Sequence, residues 1–474
     1  MTHVPVRVAA HASAHASVRA AAGDGYGGGV RSTTEGVVNG VTDGATGDGV
    51  MGGGATGDGV ASGGATGGVL PGGGVPGGAP ATAPWRVVIT GATGFIGSAV
   101  LRELLRTETG TGTGTGTGAG TSIRATARKP PTDAAPAAAT DAATDAAPAA
   151  TTDAAPGSPS PLAAASAVPL EWRAADLSDP ASLRGVCEGA DVLLHLASDI
   201  GRDEERCELV NVRGTAALLD EAVRAGVGRI VHLSTAAVYG AGPHAGLGVD
   251  EVPPAPVSPA SRTRLAAERL VLEAGGTVLR PGLVLGAGDR WVVPALAELL
   301  GRLPARWNGG RGLLSAVAVD DLARLFARLA LASDGVPGGV YHASHPTPVR
   351  NGDLMDTLIG HAVFPQRPSG DSGDPDGPSS PDGPSSPGLL GLPDLSDLPD
   401  LSWEDCLERL RATPGRVSER QFALLADDHW YRSDEVWTAA GCDPGPGPLV
   451  RVAEAADWYR THLRTRLQAQ LTAS

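Results

Sequence analysis

The chain has 474 residues, of which 68 are Gly and 38 are Pro, and only 4% are aromatic. So few bulky side chains cannot offset the entropy of ordering the whole chain, and the folded part must therefore be shorter. The net charge of −15 excludes a general nucleic-acid binder, because such proteins depend on clustered Lys and Arg. No apolar run reaches the roughly 18 residues of a membrane span, and the cysteines lack the CxxC spacing of a zinc site. We therefore predict an acidic, cytoplasmic protein that contacts neither nucleic acid nor membrane.

Four low-complexity tracts interrupt the sequence. The first is a Gly/Ala-rich tail over residues 1–84, and the second is a Thr-Gly alternation over about 109–121. The third is a TDAAP-type run over about 130–168, and the fourth, over about 367–402, repeats DGPSSP. We predict that all four are disordered, which leaves about 300 residues for one large α/β unit or two closely joined lobes.

The remaining sequence alternates between short apolar runs and amphipathic segments. Strands are predicted at Trp85–Thr90, Ser122–Ala127, Asp191–Ala197, Gly228–Ser234 and Thr277–Arg280, and helices at Ser98–Arg106 and Asn211–Ala225. The second helix has a predicted apolar stripe of Val212, Ala216, Leu219 and Val223. Near-continuous apolar runs are typical of buried parallel strands, and their alternation with helices predicts a doubly wound parallel α/β sheet.

A glycine-rich loop, TGATGFIG over residues 90–97, joins the first strand to the first helix. Gly91 permits a tight turn, Gly94 lets the backbone approach a pyrophosphate, and Gly97 lets the helix pack close to the sheet. Many glycine pairs occur in this chain, but only this triplet follows an apolar strand and opens an amphipathic helix. The alternative is a purely structural turn. We predict a dinucleotide site, and its contacts are Gly91, Thr93, Gly94, Phe95, Ile96 and Gly97.

The end of the second strand indicates which dinucleotide binds. Arg128 and Lys129 stand where an NAD-binding protein would place a carboxylate for the ribose hydroxyls, and a basic residue there suits the 2′-phosphate of NADP. The alternative is a solvated charge pair. Asp176, with Leu177, is predicted either to accept from the adenine amino group or to form a helix N-cap pair with Asp179. We therefore predict NADP as the cofactor and keep NAD as the alternative.

Six motifs resemble, in their order, the extended short-chain dehydrogenase/reductase family of the NAD-dependent epimerase/dehydratase type. They are TGATGFIG at Thr90, AADLSD at Ala174, LLHLAS at Leu193, NVRGTAALL at Asn211, VHLSTAAVYG at Val231 and VLRPGLVLGAG at Val278. VAVDDLAR at Val317 and the ending from Trp430 to Tyr459 are similar to substrate-lobe segments of the reductase and 3β-hydroxysteroid-dehydrogenase-like branch. The resemblance implies a Rossmann domain over 85–280 and a smaller substrate lobe over 281–474. It also implies hydride transfer on a secondary alcohol or ketone of a small metabolite; a homodimer is a further expectation.

The resemblance implies a catalytic Ser or Thr, a Tyr and a Lys. In that set the phenol exchanges the alcohol proton, and the ammonium favours the phenolate and holds the ribose. Thr235 matches the Ser/Thr position, four residues before Tyr239. In the stretch 256–268, which resembles PxSPYGxSKxxxE, Ala260 replaces the Tyr and Arg264 replaces the Lys. Arg264 is expected to hold the ribose, but a guanidinium is always protonated and makes a poor proton shuttle.

Three interpretations of the missing tyrosine stay open. Tyr239 takes over proton transfer, or Thr235 and Ser234 orient a water or substrate group that replaces the phenol, or the protein binds nucleotide without chemistry. A nucleotide-sugar epimerase, which keeps NAD bound, is a further alternative that Arg128 disfavours. The remaining predicted contacts are Leu196 and Ala197 with the cofactor, and Ser198, Ser234 and Arg280 with the substrate.

Overall fold

The computed structural model describes residues 85–107, 121–131, 168–332, 336–365, 392, 395 and 397–473. The predicted tail over 1–84 and most of the other three predicted tracts lie outside these residues. The strands are β1 Arg86–Thr90, β2 Ser122–Ala127, β3 Leu170–Ala174, β4 Val192–His195, β5 Arg229–Leu233, β6 His244–Leu247, β7 Thr277–Arg280, β8 Leu283–Leu285, β9 Arg306–Trp307, β10 Leu313–Leu314, β11 Ala316–Ala318, β12 Gly339–His342, β13 Val349–Arg350, β14 Asp400–Leu401 and β15 His429–Tyr431.

The α-helices are α1 Phe95–Thr107, α2 Glu204–Cys207, α3 Thr215–Arg224, α4 Pro259–Glu273, α5 Val292–Arg302, α6 Val319–Leu331, α7 Asn351–Gly360, α8 Trp403–Ala412, α9 Glu419–Ala426, α10 Asp434–Ala439, α11 Pro448–Glu454 and α12 Ala456–Ala473. A π-helical segment, Glu208–Gly214, joins α2 to α3, and a short 3₁₀ helix, Ala236–Tyr239, follows β5. No helix in the described part of the chain has the length and apolar character needed to cross a bilayer.

Seven parallel strands form the main sheet, in the order β12-β7-β5-β4-β1-β2-β3. The predicted doubly wound parallel sheet is therefore confirmed. Strands β1, β2 and β3 follow one another towards one edge of the sheet. The chain then returns to place β4 on the other side of β1, and β5, β7 and β12 continue towards the opposite edge. The carboxyl ends of β1 and β4 flank this reversal, which is where α/β sheets of this type bind their ligands.

The helix predicted at Asn211–Ala225 differs from the observed one. The π-helical segment precedes α3, and a π turn carries more residues than an α turn, so it shifts the phase of the apolar face. Leu218 and Ala222 are buried, whereas Val223 is 63% exposed, which corrects its place in the predicted stripe.

The predicted domain boundary at residue 280 does not match the sheet. β12 returns to pair with β7, with His342 opposite Arg280. Helix α6 joins the same apolar core, in which its Phe326 and Leu104 of α1 are fully buried. The sheet unit therefore extends to about residue 343, and its last strand is too short to signal itself in the sequence.

The later part of the chain builds a second apolar core around Trp307, Phe422 and Tyr459, all of which are fully buried. A four-stranded sheet in the order β13-β10-β15-β6 lies in this region, with β13 antiparallel to β10 and the other pairs parallel. Because β6 (His244–Leu247) lies before residue 281, the substrate lobe predicted over 281–474 is not made from one continuous segment.

Candidate active site

The glycine-rich loop lies at the carboxyl end of β1, as predicted. Gly91 has φ +72°, and a Cβ there would lie 2.8 Å from the backbone nitrogen of Ala197. A Cβ on Gly97 would collide with the carbonyl oxygen of Gly91. Helix α1 begins at Phe95, so its first amides face the space beyond this loop. The loop thus offers a cradle without side chains that suits a pyrophosphate.

A buried hydrogen-bond chain fixes the two strand ends at this edge. The Thr90 hydroxyl accepts from the backbone nitrogens of Leu196 and Ala197 at 3.2 and 3.3 Å, and it lies 2.9 Å from His195 Nδ1. His195 Nε2 lies 2.9 Å from the Thr215 hydroxyl. Burial lowers the pKa of His195 to about 4, so the ring is neutral at physiological pH. His195 therefore locks β4 to β1 and α3.

Beyond β2 and β3 lie the residues predicted to contact the adenosine end of the cofactor. Arg128 is exposed, and Asp176 accepts from the backbone nitrogen of Ser178 at 2.9 Å and from its hydroxyl at 2.7 Å, both at Oδ1. These bonds are the main reason that the pKa of Asp176 is lowered, and the charge of Arg128 adds to the effect. Asp179 caps the 3₁₀ turn Pro180–Leu183 through Ala181 N at 3.1 Å, so it does not share that cap with Asp176.

A short turn after β5 carries the predicted catalytic hydroxyl. Thr235 is partly exposed, and its hydroxyl oxygen accepts from Ala237 N at 3.2 Å. Its own hydrogen is then left to donate to an oxygen outside the turn. The neighbouring Ser234 is only 1% exposed and donates to the Glu268 carboxylate. Ser234 therefore does not face a substrate, which corrects that expectation. Ser198, the other predicted serine contact, is partly exposed after the end of β4.

Arg280 and Tyr239 belong to the same buried cluster. Arg280 donates to the two carboxylate oxygens of Glu268 at 3.0 and 2.5 Å and to the Tyr239 hydroxyl at 2.7 Å. The Tyr239 hydroxyl donates in turn to His342 Nε2 at 2.7 Å, because His342 Nδ1 donates to the Arg432 carbonyl at 3.0 Å.

Burial raises the pKa of Tyr239, and the nearby Arg280 opposes the rise. The side chain is 1% exposed, and its hydroxyl is committed on both sides. Arg280 is 5% exposed. Both residues therefore brace the turn after β5 from behind, which corrects the expectation that Arg280 holds a substrate and disfavours the interpretation that Tyr239 takes over proton transfer. The pairing was not readable because its members lie far apart in sequence.

Ala260 and Arg264 lie on the first two turns of α4. Arg264 donates to the carbonyl oxygens of Leu233 and Ser234 at 2.9 and 2.6 Å, so it reaches the carboxyl end of β5. Its Nε is enclosed and finds no hydrogen-bond partner among the described residues. Burial lowers the pKa of Arg264 to about 10, and the group stays charged at neutral pH. The side chain is thus anchored at the carboxyl end of β5 as a charged group.

Asn211 is a connecting residue that the sequence analysis did not single out. Its amide donates to the Asp199 carbonyl at 2.8 Å and to the Thr263 hydroxyl at 2.9 Å, and it accepts from Asp199 N at 2.7 Å. Thr263 donates to the Pro259 carbonyl at 2.9 Å. Asn211 thus ties the segment after β4 to the turn of α4 that carries Ala260. Its position in the NVRGT motif was the available signal.

Curated relatives of this chain include several oxidoreductases. The chain is 35% identical to a 4-hydroxy-2-methyl-3-oxo-4-farnesyl-3,4-dihydroquinoline-1-oxide ketoreductase of Stigmatella aurantiaca, over 36% of this chain and 54% of that protein. It is 28% identical to 3beta-hydroxysteroid-dehydrogenase/decarboxylase isoform 1 of Arabidopsis thaliana, over 42% of this chain and 50% of that protein. The matches thus span about half the length of these relatives.

Solved structures share the fold. A dTDP-glucose 4,6-dehydratase double mutant from Streptomyces venezuelae, with NAD bound, superposes with a TM-score of 0.51 at 19% identity, over 79% of this chain and 97% of that one. UDP-glucose 4-epimerase from Thermotoga maritima superposes with a TM-score of 0.51 at 15% identity, over 80% of this chain and 99% of that one. The model of the NAD dependent epimerase/dehydratase family matches residues 87–343. Because that match covers more than half of the 474 residues, the chain belongs to the NAD-dependent epimerase/dehydratase family.

Proposed function

We propose that this protein is an NADP(H)-dependent oxidoreductase that transfers hydride to or from a secondary alcohol or ketone of a small metabolite. The observation that carries the proposal is the glycine cradle at the carboxyl end of β1, where Gly91 and Gly97 have no room for a side chain. Such a cradle, followed by a helix N-terminus, has the chemistry of a dinucleotide pyrophosphate site.

We assign the cofactor contacts to residues at this edge of the sheet. Residues 91–97 hold the pyrophosphate, and the exposed Arg128 holds the 2′-phosphate. Asp176 and Leu177 would contact the adenine, and Leu196 and Ala197, directly after β4, would contact the cofactor at the cradle. Arg264, whose guanidinium reaches the carboxyl end of β5, would hold the ribose. The preference for NADP rests on Arg128, because the nearby acidic Asp176 is already engaged by Ser178.

The bound dinucleotide supplies or accepts the hydride. Thr235 is the one predicted catalytic side chain with a free hydroxyl hydrogen, so it orients and polarises the substrate oxygen. Tyr239 reaches no substrate while Arg280 and His342 hold its hydroxyl. The proton therefore comes from a water or substrate group that Thr235 orients, and Arg264 keeps positive charge near the reacting carbon.

The substrate class rests on the relatives. A ketoreductase, a hydroxysteroid dehydrogenase and a 2-alkyl-3-oxoalkanoate reductase, the last from Stenotrophomonas maltophilia and 31% identical over 40% of this chain, are similar to it. Their names share a ketone or secondary alcohol on a largely apolar molecule. We therefore place the substrate of this chain in that class.

A second candidate is a nucleotide-binding protein without catalysis. Ala260 has no proton to give, and Tyr239 is enclosed, so neither of these two positions supplies a phenol to the reaction. A nucleotide-sugar activity is the third candidate; a dTDP-6-deoxy-L-talose 4-dehydrogenase of Kitasatospora kifunensis is 31% identical over 49% of this chain and 61% of that protein.

The double substitution Ala260→Tyr with Arg264→Lys separates the first two candidates. If the native site is active and rebuilt around Thr235, restoring the tyrosine and lysine lowers turnover of apolar ketones with NADPH. Activity that appears only in the double variant would instead show that the native protein binds nucleotide without catalysis. Mass spectrometry of the cofactor that co-purifies with the native protein distinguishes NADP from a retained NAD.

We also propose a cytoplasmic location. The four cysteines are buried, free thiols, as a reducing compartment favours. The homodimer stays a prediction, and light scattering of the purified chain tests it.

A further inference from the structure

The loop after β8 packs directly on the cofactor cradle. We call Gly286–Trp291 the rim loop. Its Gly288 has φ +103°, and a Cβ there would lie 2.7 Å from Cδ2 of the Phe95 ring. The ring therefore occupies the space that any side chain at position 288 would need. Phe95 opens α1, and the Gly94 and Ser98 amides on either side of it close the first turn.

A residue far along the chain clamps the rim loop. The Tyr459 hydroxyl, on α12, accepts from Gly286 N at 2.7 Å and donates to Asp289 Oδ2 at 3.2 Å. Tyr459 is fully buried, and Asp289 is 1% exposed. The first and fourth residues of the loop are thus tied to one phenol.

Asp289 holds the far side of the same loop. Its carboxylate accepts from the backbone nitrogens of Trp291, Val292 and Val293 at 2.8, 2.9 and 3.0 Å, which caps α5. Burial raises the pKa of Tyr459 well above its usual value, so the phenol stays protonated and able to donate. The polar side-chain atoms of Tyr459 and Asp289 are all hydrogen-bonded, and these bonds hold the loop in contact with Phe95.

We propose that Tyr459 and Asp289 are positioning residues for the cofactor: by pressing the rim loop against Phe95, they hold the first turn of α1 where its amides meet the pyrophosphate. The inference rests on the proposed function, because it assumes that the glycine cradle binds the dinucleotide. It assigns the end of the chain a part in cofactor affinity although Tyr459 lies 364 residues after Phe95 in sequence.

The test compares two tyrosine variants of the full-length protein. Tyr459→Phe leaves Gly286 N without a partner and frees the rim loop, so the Kd for NADPH rises roughly tenfold, as expected for one lost buried hydrogen bond. Tyr341→Phe is the matched control. Tyr341, on β12, is also buried, and its hydroxyl donates to the Pro337 carbonyl at 3.1 Å. The control variant leaves the Kd unchanged.

Hydrogen exchange separates positioning from a general loss of stability. Tyr459→Phe speeds exchange of the amides of residues 91–98, and Tyr341→Phe does not. Equal Kd values and equal exchange in the two variants would overturn the inference. If the wild type itself fails to bind NADPH, the proposed function fails instead.

A second variant keeps the test decisive if Tyr459→Phe does not fold. Gly288→Ala keeps the Tyr459 and Asp289 side chains, but it strains the backbone at φ +103° and forces the Phe95 ring to move, so it raises the Kd on its own. Where both variants fold, the double variant binds no more weakly than the worse single one, because both act through the same contact. Additive losses, or unchanged affinity in Gly288→Ala, would contradict the inference.

Discussion

The cofactor cradle and the catalytic turn lie at the same edge of one sheet, but they are built from different materials. The cradle is made by backbone: Gly91 and Gly97 work because they lack side chains. The turn that carries Thr235 is made by side chains from distant segments, with Glu268 and Arg280 behind it. A site made of backbone atoms changes little when nearby side chains are substituted. A site made of side chains changes its geometry when any one of them is replaced. In this chain the glycines match the predicted dinucleotide pattern, and Ala260 and Arg264 stand at the positions where Tyr and Lys are expected.

The largest expected effect is a loss of stability when the buried side chains behind the Thr235 turn are changed. Glu268→Gln leaves the Arg280 charge buried without a counter-ion, and we expect the free energy of unfolding to fall by about 3 to 5 kcal/mol. Chemical denaturation measures this change. Glu251→Gln is the control, since its pair with Arg432 is about half exposed on both sides, and little change is expected. Equal effects of the two variants would show that the buried cluster does not hold the turn.

The same cluster predicts how stability depends on pH. Burial lowers the pKa of His342 to about 4, below its usual 6.5, so the fold requires the neutral ring. The unfolded chain binds the proton first as the pH falls, and stability present above about pH 6.5 is lost towards pH 4, by up to about 3 kcal/mol. Unfolding curves across this range test the sign. In His342→Gln the slope should be shallower, and an unchanged slope would contradict the assignment.

In the glycine cradle, Gly97→Ala should weaken cofactor binding while the turn that carries Thr235 keeps its structure. The new Cβ collides with the Gly91 carbonyl, and we expect the Kd for NADPH to rise by about a hundredfold or more. Gly360→Ala is the matched control, because Gly360 is also helical and has open space around its Cα. Fluorescence titration gives both constants. Wild-type affinity in Gly97→Ala would place the nucleotide elsewhere.

The smallest effect concerns which dinucleotide binds. Arg128→Ala removes the exposed charge beyond β2, and we expect the Kd for NADPH to rise about tenfold with that for NADH unchanged. Lys129→Ala, one residue on, should change the ratio less. Parallel NADPH and NADH titrations measure both, and an equal loss for the two cofactors would show that Arg128 does not contact the 2′-phosphate.

The contrast between the glycine cradle and the Thr235 turn also explains what the sequence could predict. The cradle was readable because its logic is local: β1, the glycines and α1 are consecutive, and Ser122–Ala127 and Thr277–Arg280 form strands as predicted. The cluster of Ser234, Glu268 and Arg280 was not, because no local pattern records which polar groups meet after folding. The phase of α3 was missed because a π-helical segment leaves no clear sequence signal. The predicted domain boundary at residue 280 does not match the sheet, because β12, a strand of four residues, pairs with β7 after that point.

We infer that this chain has a working dinucleotide cradle beside a catalytic set that departs from the family pattern. Titration of the purified wild-type protein with NADPH, followed by the quenching of its tryptophan fluorescence, tests that claim most directly. The structure leads us to expect saturable binding that is tighter for NADPH than for NADH and about a hundredfold or more weaker in Gly97→Ala. No saturable binding of either nucleotide to the wild type would contradict it.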